Sequence, residues 1–141
     1  MSVPLVLLVD DDPDFLAIGR VFLESGGYRV STAASAQQGL RQALAEPPAV
    51  AVVDLMMEEM DAGIWLAQQM ALQPVLAQVP VVILTGVRDE TGFDFVLTSA
   101  EERQWLGVRE WVEKPVTRER LLAVVTAVLG KEEPDGTRAG G

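Results

Sequence analysis

Leu5-Val6-Leu7-Leu8-Val9-Asp10-Asp11-Asp12-Pro13 is the stretch that decides the fold. Its five apolar residues leave no polar face, which predicts a strand covered on both sides, as in a parallel sheet. The carboxylates end that strand, and Pro13 follows Asp12 as a proline at the first helical position follows an N-cap. Phe15, Ile18, Val21 and Phe22 then recur at helical spacing until Gly26-Gly27 stops the run. The chain therefore opens as strand, acidic turn and helix.

The same cadence continues outward. Val50-Ala-Val-Val-Asp54 and Val81-Val-Ile-Leu-Thr85 are further runs apolar on both faces, and Tyr28 to Thr32 and Trp111 to Glu113 also read as strands. Ser35 caps a second helix ending before Pro47-Pro48, and a third covers about Gly63 to Leu72. Thr117 caps a last helix, with Leu121, Leu122, Val125 and Val128 as its buried stripe and Gly130 as its stop. Five strands alternating with about five helices predict βαβ units and an open, doubly wound parallel sheet. Residues 1–130 form one domain on this pattern, and the polar, Gly/Pro-rich stretch from Lys131 to Gly141 is expected to be a disordered tail.

Composition narrows the chemistry. A chain of 141 residues, 49% hydrophobic and 23% charged, can bury a substantial core. With neither cysteine nor histidine, disulfides, thiolate zinc sites and imidazole catalysis are excluded, leaving carboxylate, hydroxyl and lysine. The net charge of -10 argues against direct binding to nucleic acid or to an anionic membrane surface. No apolar run approaches the roughly 18 residues of a membrane helix, and the apolar stretch Val3 to Val9 lacks the charged flank and cleavage site of a signal peptide. A cytoplasmic location is the resulting expectation.

In open α/β sheets ligands bind beyond the carboxyl ends of the strands. Those ends carry Asp10-Asp11-Asp12, Asp54, Thr85 and, just past the fifth strand, Lys114-Pro115. Carboxylates sharing a pocket repel and resist ionising unless a cation sits among them, and Mg2+ suits such a site because it takes oxygen ligands and retains waters. A lysine and a threonine hydroxyl facing the same pocket can hold phosphate oxygens, and an aspartate beside a metal can act as a nucleophile towards phosphorus. Together these groups describe phosphoryl transfer to a carboxylate. Singly, each has a plainer role: the acidic triplet as a solvated cap, Thr85 as a strand residue, Lys114 as a solvent-facing cation, and Trp111 with Met56, Met57 and Met60 as core. Asp54 is harder to explain that way, since an unpaired carboxylate closing a buried strand is costly.

Taken jointly, Leu7-Leu8-Val9-Asp10-Asp11-Asp12, Asp54-Leu-Met-Met-Glu-Glu-Met-Asp61, Ile83-Leu-Thr85-Gly86 and Lys114-Pro115 resemble the receiver domain of two-component response regulators, over about Val3 to Leu129. The resemblance implies a flavodoxin-like sheet of order 2-1-3-4-5 and a phosphoryl group transferred to Asp54 from a sensor histidine kinase or phosphotransfer protein. It further implies Mg2+ held by Asp10, Asp11, Asp54 and the Met56 backbone carbonyl, with Asp11 as direct ligand and Asp10 acting partly through water. Lys114 matches the lysine that contacts the acyl phosphate, with a cis bond to Pro115. Thr85 matches the switch hydroxyl, Trp111 the switch aromatic, and Gly86 the small residue that keeps the site open. Such a module is not an enzyme. It signals to a downstream protein target by conformational change, and a homodimer through the face of the last helices is a possible assembly.

Several positions depart from the family pattern. Glu58 stands where proline is usual, and Ala62 stands where glycine is usual, with Gly63 displaced by one. Trp111 replaces a smaller ring, and the stretch from Thr85 to Gly107 is several residues longer than typical, the extra length falling where a fourth helix should begin, around Val87 to Gln104. The chain ends shortly after its last helix, so the expectation is either a single-domain regulator working through a protein partner or a fragment of a larger one. Two other classes compete. A haloacid-dehalogenase-type phosphatase would use Asp10 as nucleophile and Asp12 as general acid, but it leaves Asp54 without a role and lacks a fitting acidic pair after Lys114. A receiver-like module that binds partners without phosphorylation is the second.

Overall fold

The structure, a computed structural model, describes residues 3–55, 57, 62–85 and 108–130. Its elements are β1 (Leu5–Val9), α1 (Pro13–Ser25), β2 (Arg29–Ala33), α2 (Ala36–Ala45), β3 (Val50–Asp54), α3 (Ala62–Leu72), β4 (Val81–Thr85), β5 (Val108–Glu113) and α4 (Arg118–Gly130). The strands form one sheet in the order β2-β1-β3-β4-β5, and every neighbouring pair is parallel. This is the doubly wound architecture that the alternating segments predict.

Strand alternation sorts the core into two layers. Leu7, Val9, Ala51, Val53, Val81 and Ile83 point to one side, where Ala43 of α2 and Leu66 and Met70 of α3 cover them. Val6, Leu8, Val50, Val52, Val82 and Leu84 point to the other, against Leu23 of α1 and Leu121, Val125 and Val128 of α4. β1 and β3 lie inside the sheet and are buried along their whole length, which explains their uninterrupted apolar sequences.

The helix ends follow local chemistry. Asp12 accepts a hydrogen bond from the Asp14 N–H at 3.0 Å, Ser35 from the Gln38 N–H at 3.1 Å, and Thr117 from the Arg120 N–H at 3.0 Å. Gly27 has φ 94°, a left-handed conformation that glycine adopts at little cost as the chain leaves α1. Some boundaries differ from the sequence expectation. β2 runs from Arg29 to Ala33 rather than from Tyr28 to Thr32, β5 begins at Val108 rather than Trp111, and Gly130 is the last residue of α4 rather than a stop beyond it. Four helices are present among the described residues; the lengthened segment around Val87 to Gln104 with its expected helix, the Met56 carbonyl, Glu58, Gly86 and the tail 131–141 lie outside them.

Candidate functional site

The sheet order makes β1 and β3 neighbours although β2 separates them in sequence, so the connections leave the sheet in opposite directions there. A crevice opens at that point beyond the carboxyl ends of the strands. Ladder hydrogen bonds continue just past the strands and fix the backbone of the rim: Asp10 N–H to Ala33 O at 3.1 Å, Leu55 N–H to Leu84 O at 2.8 Å, and Lys114 N–H to Thr85 O at 2.7 Å.

Register decides which side chains meet. Val9 pairs with Val53, so Asp10 and Asp54 come next in adjacent strands. Asp54 pairs with Leu84, and Leu84 with Val112, two residues before Lys114. By alternation Asp10, Asp54 and Lys114 therefore fall on the α1/α4 side of the sheet. Asp10 is 1% exposed and Asp54 7%, the two buried charged residues among those described.

Lys114 Nζ lies 2.8 Å from Asp10 Oδ2 and 3.6 Å from Asp54 Oδ1. Asp10 Oδ1 also accepts the Asp12 N–H at 2.9 Å, which ties the acidic turn to the rim. The lysine ammonium sits 4.7 Å from the centroid of the Phe15 ring. One carboxylate oxygen from each of Asp10, Asp11 and Asp54 lies within 4.8 Å of the others, with Asp11 on the exposed side. Asp12 is the N-cap of α1, its side chain accepting the Asp14 N–H. The Lys114-Pro115 bond is cis.

The electrostatics follow from this crowding. Burial first, and then the negative charge of Asp10, push the Asp54 carboxyl up to about 7; Lys114 works in the opposite direction. Burial opposes the charge on Lys114, but its hydrogen bond to Asp10 and the charges of Asp54 and Asp10 outweigh that, and its pKa is raised. Among the described residues, three carboxylates thus face a single ammonium. An all-oxygen set with charge to spare fits a hard divalent cation such as Mg2+, not a soft one.

Thr85 ends β4 and pairs with Glu113, one step beyond the Asp54–Leu84 pair, and alternation turns it towards the α2/α3 side. Trp111 pairs with Ile83 and packs, partly buried, against the core of that same side. The two predicted switch residues therefore share the face opposite Asp54, while Met57 is buried in that layer as core.

Two features were missed by sequence reasoning. The Phe15–Lys114 contact joins residues from opposite ends of the chain, and nothing in the helical spacing of Phe15 distinguishes it from a core residue. A Cβ on Gly63 would stand 2.4 Å from the Asp54 carbonyl oxygen and 2.8 Å from Leu55 Cα. The displaced glycine is thus what lets α3 start against the end of β3, where the Gly63 N–H bonds Leu55 O at 2.9 Å.

The comparisons agree with this architecture. The family model for the response regulator receiver domain matches residues 6–126. The chain is 31% identical over 128 residues to the alkaline phosphatase synthesis transcriptional regulatory protein PhoP of Bacillus subtilis, covering 91% of this chain and 49% of that one. It is 29% identical to protein PilH of Pseudomonas aeruginosa, covering 88% of this chain and 96% of that one. Among solved structures it resembles a CheY-like response regulator receiver domain protein from Methanospirillum hungatei, with a TM-score of 0.74 and 26% identity over 92% of this chain and 96% of that one. The chain belongs to the receiver domain family of two-component response regulators. It spans about half the length of PhoP. No helix among the described residues is long and apolar enough to cross a membrane.

Proposed function

We propose that this chain is a phosphoacceptor receiver in a two-component phosphorelay, with Asp54 as the acceptor. The observation that carries it is the burial of Asp54 beside Asp10, Asp11 and the Lys114 ammonium. An Asp54 carboxylate oxygen attacks phosphorus, and the P–N bond of a phosphohistidine on the donor protein breaks. The electron pair leaves with the imidazole nitrogen, which takes up a proton. Asp10, Asp11, Asp54 and the Met56 carbonyl would hold Mg2+, which when bound would supply positive charge beside the Asp54 carboxylate and the phosphoryl oxygens. Lys114 turns from Asp10 towards a phosphoryl oxygen, and Thr85, one step further along the rim on the adjacent strand, swings its hydroxyl over from the α2/α3 side to donate to another.

Drawing Thr85 inward changes the α2/α3 side, where Trp111 packs, and so gives phosphorylation an effect away from the site. The receiving partner is a protein rather than nucleic acid, the module acts in the cytoplasm, and self-association uses the face that includes α4. The receiver domain comprises residues 1–130. Incubation with acetyl phosphate and Mg2+ tests this: wild type should gain one phosphoryl group, chelator should prevent the gain, and Asp54→Asn should abolish it. Labelling that persists in Asp54→Asn and disappears in Asp10→Asn would instead support phosphatase-type chemistry.

A further inference from the structure

Lys114 has two places to put its charge. On one side lie Asp10 Oδ2 at 2.8 Å and Asp54 Oδ1 at 3.6 Å. On the other, an open groove between α1 and the Pro115-Val116 segment is lined by Asp12, Ile18 and Phe22 as well as Lys114 itself. That groove is open to solvent and carries a further acidic residue, Asp12. A long, flexible lysine stem gravitates to such a place when nothing holds it back. Phe15 also lines the groove, and its ring lies 4.7 Å from Nζ.

We propose that Phe15 is a positioning residue for Lys114, its ring holding the ammonium on the Asp10/Asp54 side and away from the groove. An aromatic face attracts a cation through its quadrupole yet accepts no full hydrogen bond, so the N–H donors of Lys114 remain available to oxygens. The side chain can then exchange Asp10 for a phosphoryl oxygen without first being recovered from solvent. A leucine in the same place would fill much of the volume but offer no such attraction. This inference rests on the phosphoacceptor function proposed for Asp54.

The test compares Phe15→Leu with Phe15→Tyr and Phe15→Trp in the full chain, by the rate of Mg2+-dependent labelling with acetyl phosphate, a donor too small to need docking on α1. Phe15→Leu should be about fivefold to thirtyfold slower, and the aromatic variants within about twofold of wild type. In a Lys114→Ala background, Phe15→Leu should change the rate by less than about twofold, because the ring acts only through the ammonium. Equal losses in both backgrounds, or tyrosine and tryptophan failing as leucine does, would show a merely structural role and overturn the proposal. Phe15→Met, also unbranched at Cβ, gives the same comparison should the leucine variant not fold. A second readout is independent of phosphorylation: the side-chain NMR resonances of Lys114 should be ring-current shifted in wild type and lose that shift in Phe15→Leu. Absence of the shift in wild type overturns the proposal even if labelling proceeds, whereas a shift in a protein that never labels would count against the acceptor function alone.

Discussion

Replacing Asp54 by asparagine should stabilise the metal-free protein at neutral pH and above, although it removes the proposed acceptor. Asparagine keeps the shape of the side chain, and Lys114 keeps its 2.8 Å bond to Asp10. What disappears is a carboxyl whose burial and whose proximity to Asp10 push it from 3.8 to about 7. The folded state therefore binds the proton more tightly than the unfolded chain does. The stability this gives is present in full below pH 3.8 and is lost as the pH rises through about 7. At about 1.4 kcal/mol per pH unit the loss is at most about 4 kcal/mol, and solvent reaching the open rim reduces it to about 1–2 kcal/mol. In thermal unfolding with chelator, Asp54→Asn should melt about 4–8 °C above wild type at pH 8, and the two should converge near pH 4. Saturating Mg2+ should narrow or reverse the difference, since ligand at a hundredfold excess over its Kd adds about 2.7 kcal/mol to a protein that binds it. An asparagine variant no more stable than wild type at pH 8, or equally more stable at every pH, would refute this electrostatic account of the pocket.

Asp11→Asn should weaken Mg2+ binding in titrations followed by unfolding temperature, whereas Asp12→Ala should leave it unchanged. Asp12→Ala should instead lower stability by about 1 kcal/mol in urea, through loss of the α1 cap. Gly63→Ala must displace the Asp54 carbonyl or the start of α3, and should cost about 1–3 kcal/mol in the same assay while slowing acetyl phosphate labelling. Thr85→Ala should still accept phosphate, but the change in hydrogen exchange that beryllofluoride produces in β5 around Trp111 should largely vanish. An unaltered response in that variant would remove Thr85 from the proposed route.

The parts of the fold legible in the sequence are those whose burial is simplest. β1, β3 and β4 match their expected bounds because the first two are covered on both faces along their length, and β4 fails only at Thr85 on the rim. β5 lies at the sheet edge, and Arg109 and Glu110, one exposed and one half-buried, interrupt its apolar pattern; its first three residues were therefore missed. β2 occupies the other edge, and its first residue is displaced by one for a similar reason: Arg29 is exposed while the neighbouring Tyr28 packs against the α1/α4 layer. Convergence of Asp10, Asp54 and Lys114 could be foreseen, since parallel strands must end on one rim. Contacts between elements could not: the ring of Phe15 over Lys114 and the backbone of α3 against Asp54 depend on how closely helices approach the sheet, which residue spacing along the chain does not encode.

The central claim, that Asp54 itself takes the phosphoryl group, is tested most directly by locating the modified atom. After reaction with acetyl phosphate and Mg2+, borohydride reduction converts an acyl-phosphate aspartate to homoserine, which peptide mass spectrometry assigns to one position. Homoserine at Asp54 alone, formed only when Mg2+ is present, is the predicted result. Homoserine at Asp10, Asp11 or Asp12, or none at any aspartate in a protein that is folded and binds Mg2+, would contradict it.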